Sequence, residues 1–171
     1  DALARRHGEM QWVQRINDGL EGNRFQLYGQ HIIPLTAGAP TFCEILVRLH
    51  EDDAGLIPPN AFIPAAERYY LMPSIDRWVV ARALAMLGRS RWADDSSDQP
   101  AMYAINLSGQ SLCDDQFLDF VITHLRESGI PPALLCFEIT ETAAIANLTR
   151  AIDFMSRLKD IGCRFALDDF G

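Results

Sequence analysis

Carboxylates, an amide and a guanidinium recur inside apolar stretches of this chain, at positions where a β-strand would end or turn. In residues 42–48, strict alternation puts Phe42, Glu44, Leu46 and Arg48 on one face, and Cys43, Ile45 and Val47 on the other. A carboxylate and a guanidinium within such a strand are costly to bury unless they meet partners. Ala104, Asn106 and Ser108 share a face in residues 101–108, and Cys136, Glu138 and Thr140 share one in 136–140. A final apolar run closes on Asp168-Asp169-Phe170-Gly171. Taken singly, each is an ordinary rim residue, helix cap or turn. Taken together, Glu44, Asn106, Glu138, Asp168 and Asp169 gather four acids and an amide near the ends of successive strands, where sites of parallel α/β folds collect. Four acids in one place repel one another unless a cation sits among them. An all-oxygen set suits Mg²⁺, Mn²⁺ or Ca²⁺ rather than zinc. Arg48, on the face of Glu44, suits a phosphate. Metal-assisted hydrolysis of a phosphate ester is the reaction class that follows.

The elements that must position these groups alternate along the chain. Residues 24–33, 41–49, 101–107, 134–139 and 163–168 read as strands. Helices are expected over residues 2–20, from Pro73-Ser74 onward, over 114–127 up to Gly129, and over 147–160 up to Gly162. The prolines at 58, 59 and 64 mark a loop with a short helix after it, and 93–100 reads as a solvated loop. The last three strands begin near 101, 134 and 163, a βα spacing that builds parallel sheets. Periodicity leaves open a doubly wound sheet or an eight-stranded barrel.

Composition narrows the classes further. The 171 residues are 49% apolar and 22% charged, as expected of one globular domain. A net charge of −8 argues against a grip on nucleic acid polymers or on anionic lipid. No apolar run approaches the ~20 residues needed to cross a bilayer, so no direct membrane insertion is expected. The four cysteines form no C-x-x-C pair and read as reduced thiols packed as small hydrophobes, which suits a cytoplasmic location.

The motifs also resemble a known family. Glu44-Ile-Leu-Val-Arg48 is similar to the signature segment that gives the EAL domain its name. Phe62-Ile-Pro-Ala-Ala-Glu67 with Ile75-Asp-Arg-Trp-Val79, then Asn106-Leu-Ser108, Phe137-Glu-Ile-Thr-Glu141 and Ala166-Leu-Asp-Asp-Phe-Gly171, resemble its further motifs in family order. The resemblance implies an α/β fold, a TIM-like (β/α) barrel of the EAL type, of which about five of eight strands are expected here. It divides the chain into a connector helix at 1–22, leading from an upstream domain, and the N-terminal two-thirds of an EAL domain at 23–171. It implies hydrolysis of cyclic di-GMP to linear pGpG with two Mg²⁺ or Mn²⁺ ions. Glu44, Asn106 and Glu138 would bind one metal, Asp168 would bridge, and Asp169 would hold the second. Arg48 would contact a phosphate, Gln30 and Leu46 would line the nucleotide site, and Glu141 would brace a later loop. The family's catalytic lysine and last three barrel strands are expected beyond Gly171, so the segment by itself is expected to be inactive, with Phe42, Leu46 and Leu107 meeting water or another chain. The implied partners are cyclic di-GMP, an upstream GGDEF cyclase or sensor domain, and a second copy in a homodimer. The alternative within the family is an inactive EAL domain that senses the nucleotide. Ile45 stands where the name-giving alanine would be, on the opposite face from Glu44. His31 stands where a proline is usual.

Overall fold

A computed structural model describes residues 2–51, 55–88 and 100–168, with side chains from Met10 onward. Helix α1 (Ala2–Glu21) leads into a hairpin of β1 (Phe25–Ile32) and β2 (Phe42–Glu51), and a short β3 (Gly55–Ile57) folds back on the end of β2. Then come α2 (Pro59–Arg68), α3 (Met72–Gly88), β4 (Met102–Leu107), the short α4 (Gly109–Leu112) and α5 (Phe117–Ser128). The order closes with β5 (Leu135–Thr140), α6 (Glu141–Ala146), α7 (Leu148–Ile161) and β6 (Arg164–Asp168). The predicted loop at 93–100 falls almost wholly outside the described residues.

The sheet runs β1-β2-β4-β5-β6, with β3 paired to β2. The pairs β2·β4, β4·β5 and β5·β6 are parallel, as βα spacing requires, whereas β1 and β3 lie antiparallel to β2. Helices pack against one face of this sheet. Ile105, Leu107, Leu135, Phe137 and Ile139 point into that layer and are almost wholly buried against Val80, Leu84, Phe117, Val121 and Phe154. Leu107, expected to meet water, is only 5% exposed. Alternation explains the correction: Leu107 follows Asn106, so if Asn106 faces the site then Leu107 must face the helices.

The helix ends follow their sequence signals. Gly129 and Gly162 close α5 and α7 in the left-handed conformation, with φ of 69° and 112°. The stretch read as a loop is instead helical from Pro59: that proline opens α2 at its first position, where its missing N–H costs nothing, and Pro64 lies inside the helix. Helix α1 is more than a strut. Ile16 is fully buried in the core, Trp12 and Leu20 pack against it, and Met10 on the other side is 66% exposed. Arg15 clamps the helix to the far end of β2, with Nε and Nη2 donating to the two carboxylate oxygens of Glu51 at 2.6 and 2.5 Å. Its guanidinium also lies 3.6 Å from the centre of the Trp12 ring.

Candidate functional site

The face of the sheet turned away from the helices gathers most of the candidate residues. Strand register sets where each group stands. Glu44 is level with Ala104, Asn106 lies opposite Glu138, and Thr140 lies opposite Asp168. The groups therefore climb across the strands as a staircase. Glu44 sits near the start of β2, not at its C-terminal end, because β2 pairs with β4 only through Phe42–Ile45. The long glutamate side chain bridges the step, and Asn106 Nδ2 donates to Glu44 Oε1 at 2.7 Å. Ile45, on the other face, packs toward the helix-side core, as alternation predicts.

Glu138 stands in the middle of the row. Burial holds its carboxyl above the usual glutamate range, and the neighbouring charges of Glu44 and Asp168 push the same way. Such mutual repulsion among carboxylates would be relieved by a hard divalent cation, which oxygen ligands suit. Among the described residues no three His, Cys, Asp or Glu side chains form a closed metal-binding group. Asp169 lies outside the described residues, and Asp168 is exposed at the end of β6.

The antiparallel hairpin brings further groups to this face. Gln30 pairs with Glu44, Tyr28 with Leu46 and Gln26 with Arg48. Gln30 and Tyr28 are exposed, and Leu46 and Arg48 are half-buried. Arg48 Nη1 donates to the Val47 carbonyl at 2.8 Å. Glu141, half-buried, opens α6 directly after β5. A cleft of about 360 Å³ opens beside the row. Asn106, Glu138, Thr140 and Leu46 line it together with Asp76, Ser108 and the apolar Ile63 and Ile75.

Asp76 is a group to which the sequence assigned no task. It is only 3% exposed, and its Oδ2 accepts from the Ser108 amide at 2.9 Å and the Ser111 hydroxyl at 2.6 Å. Burial raises its pKa, and these hydrogen bonds oppose the rise. A signal was present: Met72, Asp76, Val79 and Ala83 follow helical spacing and are all buried, and a carboxylate on an apolar stripe needs donors. Cys43, Cys136 and Cys163 are buried and unbridged, and burial pushes the Cys136 and Cys163 thiols up to about 11, so both stay neutral and inert.

This arrangement is that of a known domain class: residues 13–171 match the EAL domain, and the chain belongs to that family. Its α/β fold matches EAL structures. The EAL domain of FimX from Pseudomonas aeruginosa bound to c-di-GMP superposes with a TM-score of 0.81 at 28% identity, over 94% of this chain and 62% of that one. The PaMucR phosphodiesterase in its c-di-GMP complex gives 0.82 at 26% identity, over 94% and 64%. Among sequence relatives, the cyclic di-GMP phosphodiesterase PdeB of Shewanella oneidensis is 37% identical over 163 residues, which is 94% of this chain and 18% of that protein. The cyclic di-GMP phosphodiesterase PdeF of Escherichia coli is 34% identical over 160 residues, 93% of this chain and 20% of that protein. The chain thus spans about a fifth of the length of these curated relatives. No described helix is long and apolar enough to cross a membrane.

Proposed function

We propose that the intact protein containing this segment hydrolyses cyclic di-GMP to linear pGpG with the help of Mg²⁺ or Mn²⁺. The observation that carries this reading is the row Glu44–Asn106–Glu138 on one sheet face, with Glu44 and Asn106 in direct contact and the Glu138 pKa raised by burial first and by the charges of Glu44 and Asp168 second. Glu44, Asn106, Glu138 and Asp168, with Asp169, would hold two cations, which supply Lewis-acid stabilisation of the charge that develops on the phosphate. Arg48, two residues beyond Leu46 on the same face, would donate to a phosphate oxygen. Gln30 and Leu46 line the space for the nucleotide, and Glu141 braces a loop outside this segment. In this reading the family's lysine, expected beyond Gly171, would position or deprotonate the attacking water.

The domain reading continues from the same basis. Helix α1 joins residues 23–171 to an upstream GGDEF or sensor domain while docking on the core through Ile16. The intact protein acts in the cytoplasm, with any membrane tether residing in its other domains, and pairs as a homodimer. The relatives' names and the bound nucleotide of the structural neighbours support the substrate. The test is incubation of the intact protein with labelled cyclic di-GMP and Mn²⁺, with and without chelator. Metal-dependent pGpG release is expected. Tight nucleotide binding without any product would replace this reading with that of a nucleotide sensor.

A further inference from the structure

Asp76 connects a helix in the outer layer to the chemistry of the sheet. Both donors to its Oδ2 follow directly after β4: the Ser108 amide at 2.9 Å, in the turn, and the Ser111 hydroxyl at 2.6 Å, in α4. Ser108 is also the N-cap of α4, its Oγ accepting from the Ser111 amide at 3.3 Å. That hydroxyl already satisfies the start of α4, so a carboxylate is not needed to cap it. Retaining a buried carboxylate is costly when a neutral side chain could fill the space. What the carboxylate adds is an anchor from a second element, 32 and 35 residues away in sequence, made of two hydrogen bonds accepted by one oxygen. The anchored backbone lies two residues past Asn106, whose amide donates to Glu44 at 2.7 Å.

We propose that Asp76 is a positioning residue: by holding the Ser108 amide and the Ser111 hydroxyl, it fixes the turn after β4 so that the Asn106 side chain is delivered to Glu44. The inference rests on the reading of that row as a cation site. It assigns to α3 a share in the geometry of the ligands, of the kind that partners behind metal ligands exert, where removal typically costs about ten- to a hundredfold in affinity or activity.

The experiment measures Mn²⁺ affinity of the intact protein by magnetic resonance of the free ion, alongside thermal unfolding. Asp76→Ala should weaken Mn²⁺ binding about tenfold. Asp76→Asn should bring it back to within about threefold, because the amide oxygen accepts the same two hydrogen bonds. Asn106→Ala should weaken binding as well, and the double variant with Asp76→Ala should be no weaker than Asn106→Ala alone, since one residue acts through the other. Normal Mn²⁺ affinity in Asp76→Ala, with only a lower unfolding temperature, would overturn the proposal, as would losses that add in the double variant. Should Asp76→Ala fail to fold, Ser111→Ala removes one of the two donors and should weaken Mn²⁺ binding by about threefold, roughly half the logarithmic effect of removing the carboxylate. Unchanged affinity there overturns the role equally. Wild-type protein that takes up no Mn²⁺ points elsewhere: it sinks the cation site itself, and the positioning role with it.

Discussion

Glu44 and Ile45 are chain neighbours on opposite faces of β2, so replacing each in turn should separate stability from chemistry. Ile45 pairs with Ile105 and packs toward the helix-side core. Ile45→Ala removes three carbons, worth about 0.8 kcal/mol each when fully buried. Ile45 is half-buried, so the expected cost is about 1.5–2 kcal/mol. In a domain of this size that lowers the unfolding temperature by roughly 3–8 °C. Hydrolysis at a temperature where the variant stays folded should change less than about threefold, because the side chain points away from Asn106 and Glu138. Glu44→Gln reverses the pattern. The new amide oxygen still accepts from Asn106, and one of the charges bearing on Glu138 is gone, so stability should hold to within about 0.5 kcal/mol. Hydrolysis should fall at least about a hundredfold, equivalent to some 2.7 kcal/mol of lost transition-state stabilisation. The assay is pGpG release from labelled cyclic di-GMP by the intact protein, with thermal unfolding on the same preparations. Equal losses of hydrolysis from both variants, or a greater loss from Ile45→Ala, would refute the assignment of faces.

Two further outcomes concern charge. Glu138 has a raised pKa in the folded state, so its contribution to stability is present below the ordinary value of 4.5 and is lost as pH rises through the folded value. Metal-free protein should therefore lose stability on that limb, and Glu138→Gln should flatten it in denaturant titrations at a series of pH values. Arg15→Ala removes the paired hydrogen bonds to Glu51 and the contact with Trp12, and should cost about 1 kcal/mol by chemical denaturation. Because the Arg15 hydrogen bonds hold the Glu51 pKa down, the lost stability should be seen above the ordinary glutamate range and vanish as pH falls through the folded value.

Much of the site's scaffold was legible in the sequence because strand alternation and βα spacing are local signals. Strands β4, β5 and β6 fall within a residue or so of where apolar runs bounded by Gly and Pro placed them. Asn106 and Glu138 come to opposite positions of neighbouring strands, and Glu44 reaches Asn106. Three features escaped for physical reasons. The three-residue β3 is too short to carry a period, and its pairing with the end of β2 is a tertiary event. Helices α4 and α6 span one or two turns, too few for an amphipathic pattern, although Ser108 and Thr140 cap them as their types suggest. Asp76 joins donors 32 and 35 residues away, and a chain read in order cannot show which distant turn a buried carboxylate will meet.

The β1–β2 hairpin makes the site sensitive to errors of pairing. A slip of one residue in β2 would exchange Glu44 with Ile45 and Arg48 with Leu49, turning the charged row toward the helices and oily side chains toward solvent. Two local fits guard against that mistake. Gly29 leaves room for the Cys43 sulfur, which would come within 2.9 Å of any β-carbon there. Leu49 and Phe25 face each other across the pair, both almost fully buried. A hairpin closes over few residues and forms in microseconds, well before parallel strands can wait for their crossover helices. The proofreading of which residues become chemistry and which become core is thus available to the chain at the outset of folding, in its first two strands.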